Sequence, residues 1–192
     1  MSAPETFLSR FDVPEPPIDA AGASVAIILR EGAREIETLL IERTVREEDP
    51  ASGQVALPGG RVRSSDRSLQ ETALREIEEE VGLRGSDLVR PPRFVGLQEA
   101  RVFSMTVAIF AATLGPSSNA PAVTDPAEVA QVFWFPRSAL ERASQLEWKS
   151  PQGSRGIEGV PYEGHIVWGF TLRALREFFG RAEPGAGTEP RP

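Results

Sequence analysis

The stretch Arg75-Glu76-Ile77-Glu78-Glu79-Glu80-Val81-Gly82-Leu83 carries the fold prediction, because it combines one apolar helix face with a run of acidic side chains. Leu69, Ala73, Ile77 and Val81 repeat every four residues, so their side chains lie along one stripe of a helix. The opposite side of the same helix is polar. This pattern predicts an amphipathic helix packed against a sheet.

Both ends of that helix are marked in the sequence. Ser68 is the predicted N-cap, and Glu71 three residues later completes a capping box. Gly82 suits the left-handed position just past a helix end. We therefore predict a helix of about fifteen residues, from Ser68 or Leu69 to Gly82.

The acidic side chains of this helix predict a metal site. Glu76, Glu79 and Glu80 stand at i, i+3 and i+4, so they meet on one surface and repel one another. Magnesium prefers oxygen ligands and commonly takes a few carboxylates. A bound Mg²⁺ or Mn²⁺ would relieve the repulsion, and Arg75 could hold Glu79 by an ion pair. The alternative is a solvated acidic face.

The remaining pattern predicts an α/β domain with a mixed sheet. Residues 1–22 are rich in proline and lack periodicity, which predicts an extended N-terminal arm. We place the domain at 23–180 and a disordered, Gly- and Pro-rich tail at 181–192. Strands are predicted near 24–29, 36–43, 54–57, 93–98, 105–112, 130–135 and 165–168, and helices near 137–144 and 171–179.

Composition narrows the class of function. The 192 residues carry a net charge of -7, which argues against a nucleic-acid-binding protein. There is no cysteine, and no run long enough for a membrane span. The N-terminus lacks the features of a secretory signal. The expected location is the cytoplasm.

The acidic helix and the turn before it resemble a known motif. From Gly60 through Asp66 to Leu83 the spacing resembles the Nudix box, GX5EX7REUXEEXGU, in which U is apolar. Every position from Arg75 to Leu83 matches. Asp66 stands in place of the first glutamate, and one extra residue separates it from Arg75.

The coenzyme A pyrophosphatase branch of the Nudix family shows the same departure. Its members carry segments similar to four in this chain, and the resemblance covers about residues 24–180. The fold it implies is an α/β/α sandwich. The similar segments are Leu39 to Thr44 (LLIERT), Gly53 to Gly60 (GQVALPGG), Thr72 to Glu76 (TALRE) and Ile166 to Thr171 (IVWGFT).

The resemblance implies hydrolysis of a nucleoside diphosphate linked to another group. Glu76 and Glu80 correspond to direct metal ligands, and Glu79 is the next candidate. A backbone carbonyl of the turn, Gly59 or Gly60, is implied to complete the metal site. Glycine suits this turn, because a residue without Cβ lets the backbone approach an ion or a phosphate.

The sequence leaves open which residues act as the base and which bind the substrate phosphates. Glu128 is the candidate base, because residues 127–136 resemble the segment after the mobile loop of many relatives, and Glu99 is its competitor. Arg43 and Arg46 could bind substrate phosphates through charge-assisted hydrogen bonds, or be solvated.

Coenzyme A or its thioesters are the first substrate hypothesis. The alternatives are ADP-ribose or another nucleotide, and a Nudix-fold binding domain without catalysis. A homodimer that uses the apolar segment Val167 to Phe170 is a further possibility.

Overall fold

A computed structural model describes residues 2–46, 52–150 and 153–181 of the chain. Within these ranges the chain forms three α-helices, ten strands and several short 3-10 turns. The helices are α1 (Ala3–Leu8), α2 (Leu69–Val81) and α3 (Gly169–Arg181). The strands are β1 (Ala23–Glu31), β2 (Ile36–Arg43), β3 (Val55–Ala56), β4 (Gly59–Arg61), β5 (Arg93–Ala100), β6 (Met105–Thr113), β7 (Val129–Pro136), β8 (Ser144–Ser150), β9 (Gly153–Tyr162) and β10 (His165–Trp168).

Seven of the described strands form the central sheet. Its main order is β3-β2-β1-β6-β5, with β4 paired to β1 and β7 paired to β2. β1 and β6 run parallel, and the other pairs in this sheet are antiparallel. The sheet is therefore mixed, as the sequence predicted.

Helices cover both faces of this sheet. Successive side chains of a strand point to opposite faces. On β1, Ala26 and Ile28 pack on the side of α2, and Ile27 and Leu29 pack on the side of α1 and α3. All four side chains are fully buried. The predicted α/β/α sandwich is confirmed.

The N-terminal segment differs from the extended arm predicted for residues 1–22. Residues 3–8 form α1, and Phe7 lies 5.1 Å from Phe178 of α3, measured between ring centroids. Phe11 stacks on the same ring at 5.1 Å. A six-residue helix is too short to show periodicity, so packing against α3 rather than local pattern stabilises it. Of the predicted tail at 181–192, Arg181 ends α3 and the rest lies outside the described residues.

The turn Pro58-Gly59-Gly60 follows the strand predicted near 54–57 and leads directly into another strand. Gly59 and Gly60 begin β4, which pairs antiparallel with β1. A Cβ on Gly59 would lie 2.3 Å from the Ser24 carbonyl oxygen, and its φ is +151°. Glycine is therefore required for the two backbones to come this close.

A second sheet of three antiparallel strands, β8-β9-β10, was partly missed. Only β10 was predicted. β9 contains three glycines and Pro161, and the described side chains of β8 are mostly exposed. The glycines and the proline interrupt the apolar alternation that signals a strand, although Ile157 and Val160 are buried in the folded chain. The helix predicted near 137–144 is a 3-10 helix over Arg137–Arg142.

None of the helices within residues 2–46, 52–150 and 153–181 is long and apolar enough to cross a membrane. The apolar segment proposed for a dimer contact serves the fold of the single chain instead. Val167 is fully buried, and Phe170 packs against the core. A homodimer stays a prediction.

Candidate active site

Helix α2 has the predicted ends, and these fix which carboxylates face the sheet. The Ser68 side chain accepts a hydrogen bond from the Glu71 N–H at 3.1 Å, and Gly82 ends the helix with φ +70°. The capping box is only half formed, because the Glu71 carboxylate accepts from the N–H of Arg67 rather than from that of Ser68. This register turns Glu76 and Glu80 inward with the apolar stripe.

Glu80 is the most deeply placed carboxylate of the cluster. Its relative exposure is 2%, and its Oε2 accepts a hydrogen bond from the Gly59 N–H at 2.8 Å. Its Oε1 is buried without a hydrogen-bond partner among the described residues. Burial raises the pKa of Glu80 to about 8, and the nearby charge of Glu76 adds to this effect. The Gly59 N–H and the charge of Arg43 therefore compensate the ionised carboxylate only in part.

Glu76 lies against the glycine turn. A Cβ on Gly60 would come within 2.6 Å of the Glu76 carboxyl carbon, so only glycine leaves room for this carboxylate. Glu76 Oε1 accepts a hydrogen bond from Arg75 Nη1 at 2.6 Å. Burial raises the pKa of Glu76, and the positive charge of Arg75 partly opposes this.

Asp66 anchors Arg75. Its carboxylate accepts hydrogen bonds from Arg75 Nε at 3.1 Å and Nη2 at 3.0 Å, and from the Thr72 hydroxyl at 2.9 Å. The Arg75 guanidinium holds the pKa of Asp66 well below its usual range. Asp66 thus orients the arginine that in turn holds Glu76, despite its displaced position in the motif.

Glu79 and Glu78 point to solvent. Glu79 forms a bidentate ion pair with Arg63, with both N–O distances at 2.7 Å, and a longer contact of 3.2 Å with Arg75 Nη1. The Arg75–Glu79 pair was predicted, and the Arg63 pair was not. Glu78 pairs with Arg84 at the surface. Glu79 would have to leave Arg63 to bind a metal.

The inner carboxylates fit a divalent cation. A hard cation needs oxygen ligands and space between them. The ligands are available from Glu80 Oε1, to which no described residue donates, and from the buried Glu76 carboxylate. The space is available because Gly60 has no side chain. No set of three acidic or histidine side chains within the described ranges is already gathered as a metal site. Backbone carbonyls such as that of Gly59, waters or substrate oxygens would complete the coordination.

A large cavity opens in front of these carboxylates. Its volume is about 1220 Å³, and its wall includes the predicted residues Arg43, Arg46, Gly59, Gly60, Glu76 and Glu128. One part of the lining is apolar, with Val25, Leu57, Met105, Val107, Trp168 and Phe170. The lining therefore combines charged side chains with apolar ones.

Glu128 lines the cavity from a turn that Thr44 and Arg46, in the segment just after β2, hold in place. The Thr44 N–H donates to the Glu128 carbonyl at 2.9 Å, and the Thr44 hydroxyl donates to the Pro126 carbonyl at 3.0 Å. Arg46 Nη2 donates to the Ala127 carbonyl. Arg46 thus contacts the turn as well as lining the cavity.

The same loop is tied to the end of α2. The N–H groups of Ala122 and Thr124 donate to the carbonyls of Val81 and Glu80 at 3.1 and 3.2 Å. These bonds satisfy carbonyls that a helix end leaves free. The loop thereby connects the helix of the acidic cluster to Glu128. Glu99, the competing base, is exposed on β5.

The cavity lining contains residues that the sequence predicted for the site, and also four arginines that it did not predict. Arg61, Arg63, Arg101 and Arg173 also line the cavity. Arg61 and Arg63 follow the glycine turn closely and could have been suspected from that position. Arg101 and Arg173 lie 72 residues apart in the sequence, and no local signal connects them.

Comparison with known proteins shows the family of the chain. A family model described as the NUDIX domain matches residues 20–155. The chain is 34% identical to the Nudix hydrolase NudL of Citrobacter koseri, over 90% of this chain and 91% of that protein. It is 31% identical to NudL of Yersinia enterocolitica, over 88% of each.

Solved structures show the same fold. The NUDIX domain of Shewanella oneidensis NrtR, complexed with ADP ribose, aligns with a TM-score of 0.54 at 18% identity, covering 95% of this chain and 100% of that chain. A MutT/nudix family protein from Enterococcus faecalis aligns with a TM-score of 0.56 at 17% identity, covering 94% and 69%. Nudix hydrolases generally use divalent metal ions and act on nucleotide diphosphates. This chain belongs to the Nudix hydrolase family and is a pyrophosphohydrolase that acts on phosphoric anhydride bonds.

Proposed function

We propose that the enzyme hydrolyses coenzyme A or acyl-coenzyme A at the diphosphate bridge. The products would be 3′,5′-ADP and 4′-phosphopantetheine, or its acylated form. The cavity is the observation that carries this proposal, because its lining combines arginines and carboxylates with several apolar side chains. The sequence segments similar to those of the coenzyme A branch support the same substrate class.

The size and chemistry of the cavity favour a long substrate. Its volume of about 1220 Å³ exceeds the roughly 300–1,000 Å³ of ordinary small-ligand sites. A diphosphate suits the arginines near the glycine turn, and a pantetheine arm suits the side formed by Leu57 and Trp168. Nucleoside triphosphates and ADP-ribose carry no apolar arm that would use this side.

Glu76 and Glu80 are the proposed metal ligands, with Glu79 and the Gly59 carbonyl as further candidates. A bound Mg²⁺ or Mn²⁺ would neutralise charge on the diphosphate oxygens, which otherwise repel an attacking water. Glu76 is held for this role by Arg75, and Glu80 by the Gly59 N–H.

Glu128 is the proposed base. In the proposed step its carboxylate takes a proton from water as the water oxygen bonds to phosphorus, and the bridging P–O bond breaks with its electron pair on the leaving phosphate. Arg43 and Arg46 face the same space and would bind the equatorial phosphate oxygens. Arg46 also fixes the turn that carries Glu128.

A substrate screen tests the proposal. Coenzyme A, an acyl-coenzyme A, ADP-ribose, NADH and dinucleoside polyphosphates would each be incubated with Mg²⁺ and with Mn²⁺, and the products separated by chromatography. We expect release of 3′,5′-ADP from coenzyme A. Turnover of ADP-ribose without that release would refute the substrate and leave the family assignment intact.

The metal ligands are tested by a matched pair of variants on one helix. Glu80→Gln should lower kcat/KM by more than about 100-fold, because loss of mere supporting residues at metal sites already costs roughly 10- to 100-fold. Glu78→Gln, two residues away and exposed, should retain wild-type activity. Both variants should fold, as judged by circular dichroism. Equal activity of the two would refute the assignment of Glu80.

A further inference from the structure

The cavity carries more positive charge than a diphosphate site alone would use. The chain has 28 acidic and 21 basic residues, yet the cavity lining reverses this balance. Its carboxylates are Glu76 and Glu128. Its arginines are Arg43, Arg46, Arg61, Arg63, Arg101 and Arg173. Such a local reversal of charge indicates a polyanionic ligand.

Two of these arginines stand apart from the glycine turn. Arg61 of β4 pairs with Ala23 of β1, Ala23 with Val107 of β6, and Val107 with Gln98 of β5. Three strand spacings therefore separate β4 from β5, or about 14 Å. Arg101 follows directly on β5, on the far side of the cavity from Gly60 and Glu76.

Arg173 joins Arg101 at this far side. Its Nη2 donates to the Glu99 carbonyl at 3.0 Å, which holds its guanidinium at the end of β5. Neither arginine forms an ion pair with a carboxylate in the part of the chain that the structure describes. An arginine has five N–H donors, so one backbone contact leaves most of those of Arg173 available. Paired guanidinium groups with free donors suit a phosphate.

The turn that bears Arg101 also presents apolar side chains to the cavity. Val102 and Phe103 are 64% and 42% exposed, among the most exposed large apolar residues described. Both line the cavity. Ser104 follows with φ +47°, a left-handed conformation that ends the 3-10 turn. An exposed aromatic ring beside arginines suits a nucleotide base next to its phosphate.

We propose that Arg101 and Arg173 bind a phosphomonoester that the substrate carries outside its diphosphate bridge, with Phe103 against the adjacent base. This inference rests on the proposed function, because the ribose 3′-phosphate of coenzyme A is such a group. It assigns to these two arginines the discrimination between substrates with and without this phosphate. The diphosphate lies with Arg43, Arg46 and the acidic helix.

Coenzyme A and dephospho-coenzyme A, which lacks only the 3′-phosphate, form the matched substrate pair. For the wild type we expect a KM about 10- to 100-fold lower for coenzyme A, the ratio expected for charge-assisted hydrogen bonds. Arg101→Gln and Arg173→Gln should each reduce this ratio, with little change in kcat and no change for dephospho-coenzyme A. Arg176→Gln, one turn along α3 and paired with Glu158, should behave as the wild type.

Binding of 3′,5′-ADP and of AMP, measured by calorimetry without turnover, separates this inference from the proposed function. Tighter binding of 3′,5′-ADP in the wild type, lost in Arg101→Gln and Arg173→Gln, supports the subsite even if coenzyme A is not hydrolysed. Equal affinity for the two nucleotides, or variants that keep the difference, overturns it. Equal kcat/KM for coenzyme A and its dephospho form overturns it while the proposed function stands.

Discussion

Asp66 is expected to stabilise the fold through Arg75, and Asp66→Asn tests this. The Asp66 side chain is 3% exposed and that of Arg75 is 17% exposed. The substitution keeps the shape of the side chain but removes its charge. It also turns an NH₂ group towards donors, since Arg75, Thr72 and the Arg63 N–H all donate to this carboxylate.

The size of the effect follows from these contacts. Removing one partner of a buried ion pair costs about 3–5 kcal/mol. Arg75 keeps Glu76 and Glu79 as partners, so we expect a smaller loss of about 2–3 kcal/mol, the value of one to two charge-assisted hydrogen bonds. For a domain of this size the corresponding fall in Tm is about 4–12 °C.

The loss should depend on pH in a defined direction. The pKa of Asp66 is lowered by folding, so the unfolded chain binds its proton more readily. The stability that Asp66 contributes to the fold is therefore present above the unfolded-state pKa of about 3.9. It is lost as the pH falls towards the pKa of Asp66 in the folded state. The difference in stability between wild type and Asp66→Asn should be full at pH 7 and shrink below about pH 4.

Urea unfolding at several pH values, with circular dichroism as the readout, measures this difference. Glu71→Gln is the control, because Glu71 pairs with the exposed Arg67 and such surface pairs contribute little. Equal destabilisation by the two substitutions would refute the role of Asp66. So would a difference that persists unchanged in acid.

Two further predictions concern the glycine turn and the turn of Glu128. Gly60→Ala should lower metal affinity and activity with little loss of stability, because the new Cβ meets the movable end of the Glu76 side chain. Gly59→Ala should lower the free energy of unfolding by about 1–3 kcal/mol, because its Cβ meets the backbone at Ser24. Metal titration and thermal unfolding distinguish the two variants. A Gly60→Ala enzyme with normal metal affinity would contradict this. Thr44→Val removes the hydroxyl contact with Pro126, and should lower kcat about 2- to 10-fold with KM unchanged, as steady-state kinetics would show. A change confined to KM would argue against positioning of Glu128.

Helix α2 and its inward carboxylates could be read from the sequence by itself. Ser68, Gly82 and the apolar spacing are local features, and the structure places the helix at Leu69–Val81 as they predict. The same helical geometry places Glu76 and Glu80 beside the apolar stripe that faces the sheet. The strands β1, β2, β5, β6 and β7 were found for a similar reason, since their apolar runs lie within one segment of chain.

Contacts between distant segments decided the rest. The helix α1 exists because Phe7 packs on Phe178, and a six-residue segment holds no periodic signal for that contact. β9 has glycines and Pro161 in its sequence, and it is stabilised by pairing with β8 and β10 and by burial of Ile157 and Val160. Neither set of contacts can be predicted from a single stretch of sequence.

The site shows the same division. The sequence placed Glu76, Glu79 and Glu80 on one surface, and this is correct for Glu76 and Glu80. It is wrong for Glu79, which is exposed and pairs with Arg63. The partners of Arg46 and Arg63 depended on where loops cross, at Ala127 and Glu79. Arg173 reaches the end of β5, next to Arg101, only because β5 and α3 pack together, and its hydrogen bond to Glu99 spans 74 residues. Local periodicity fixes the orientation of side chains along one element, and only tertiary packing brings together charges on different elements.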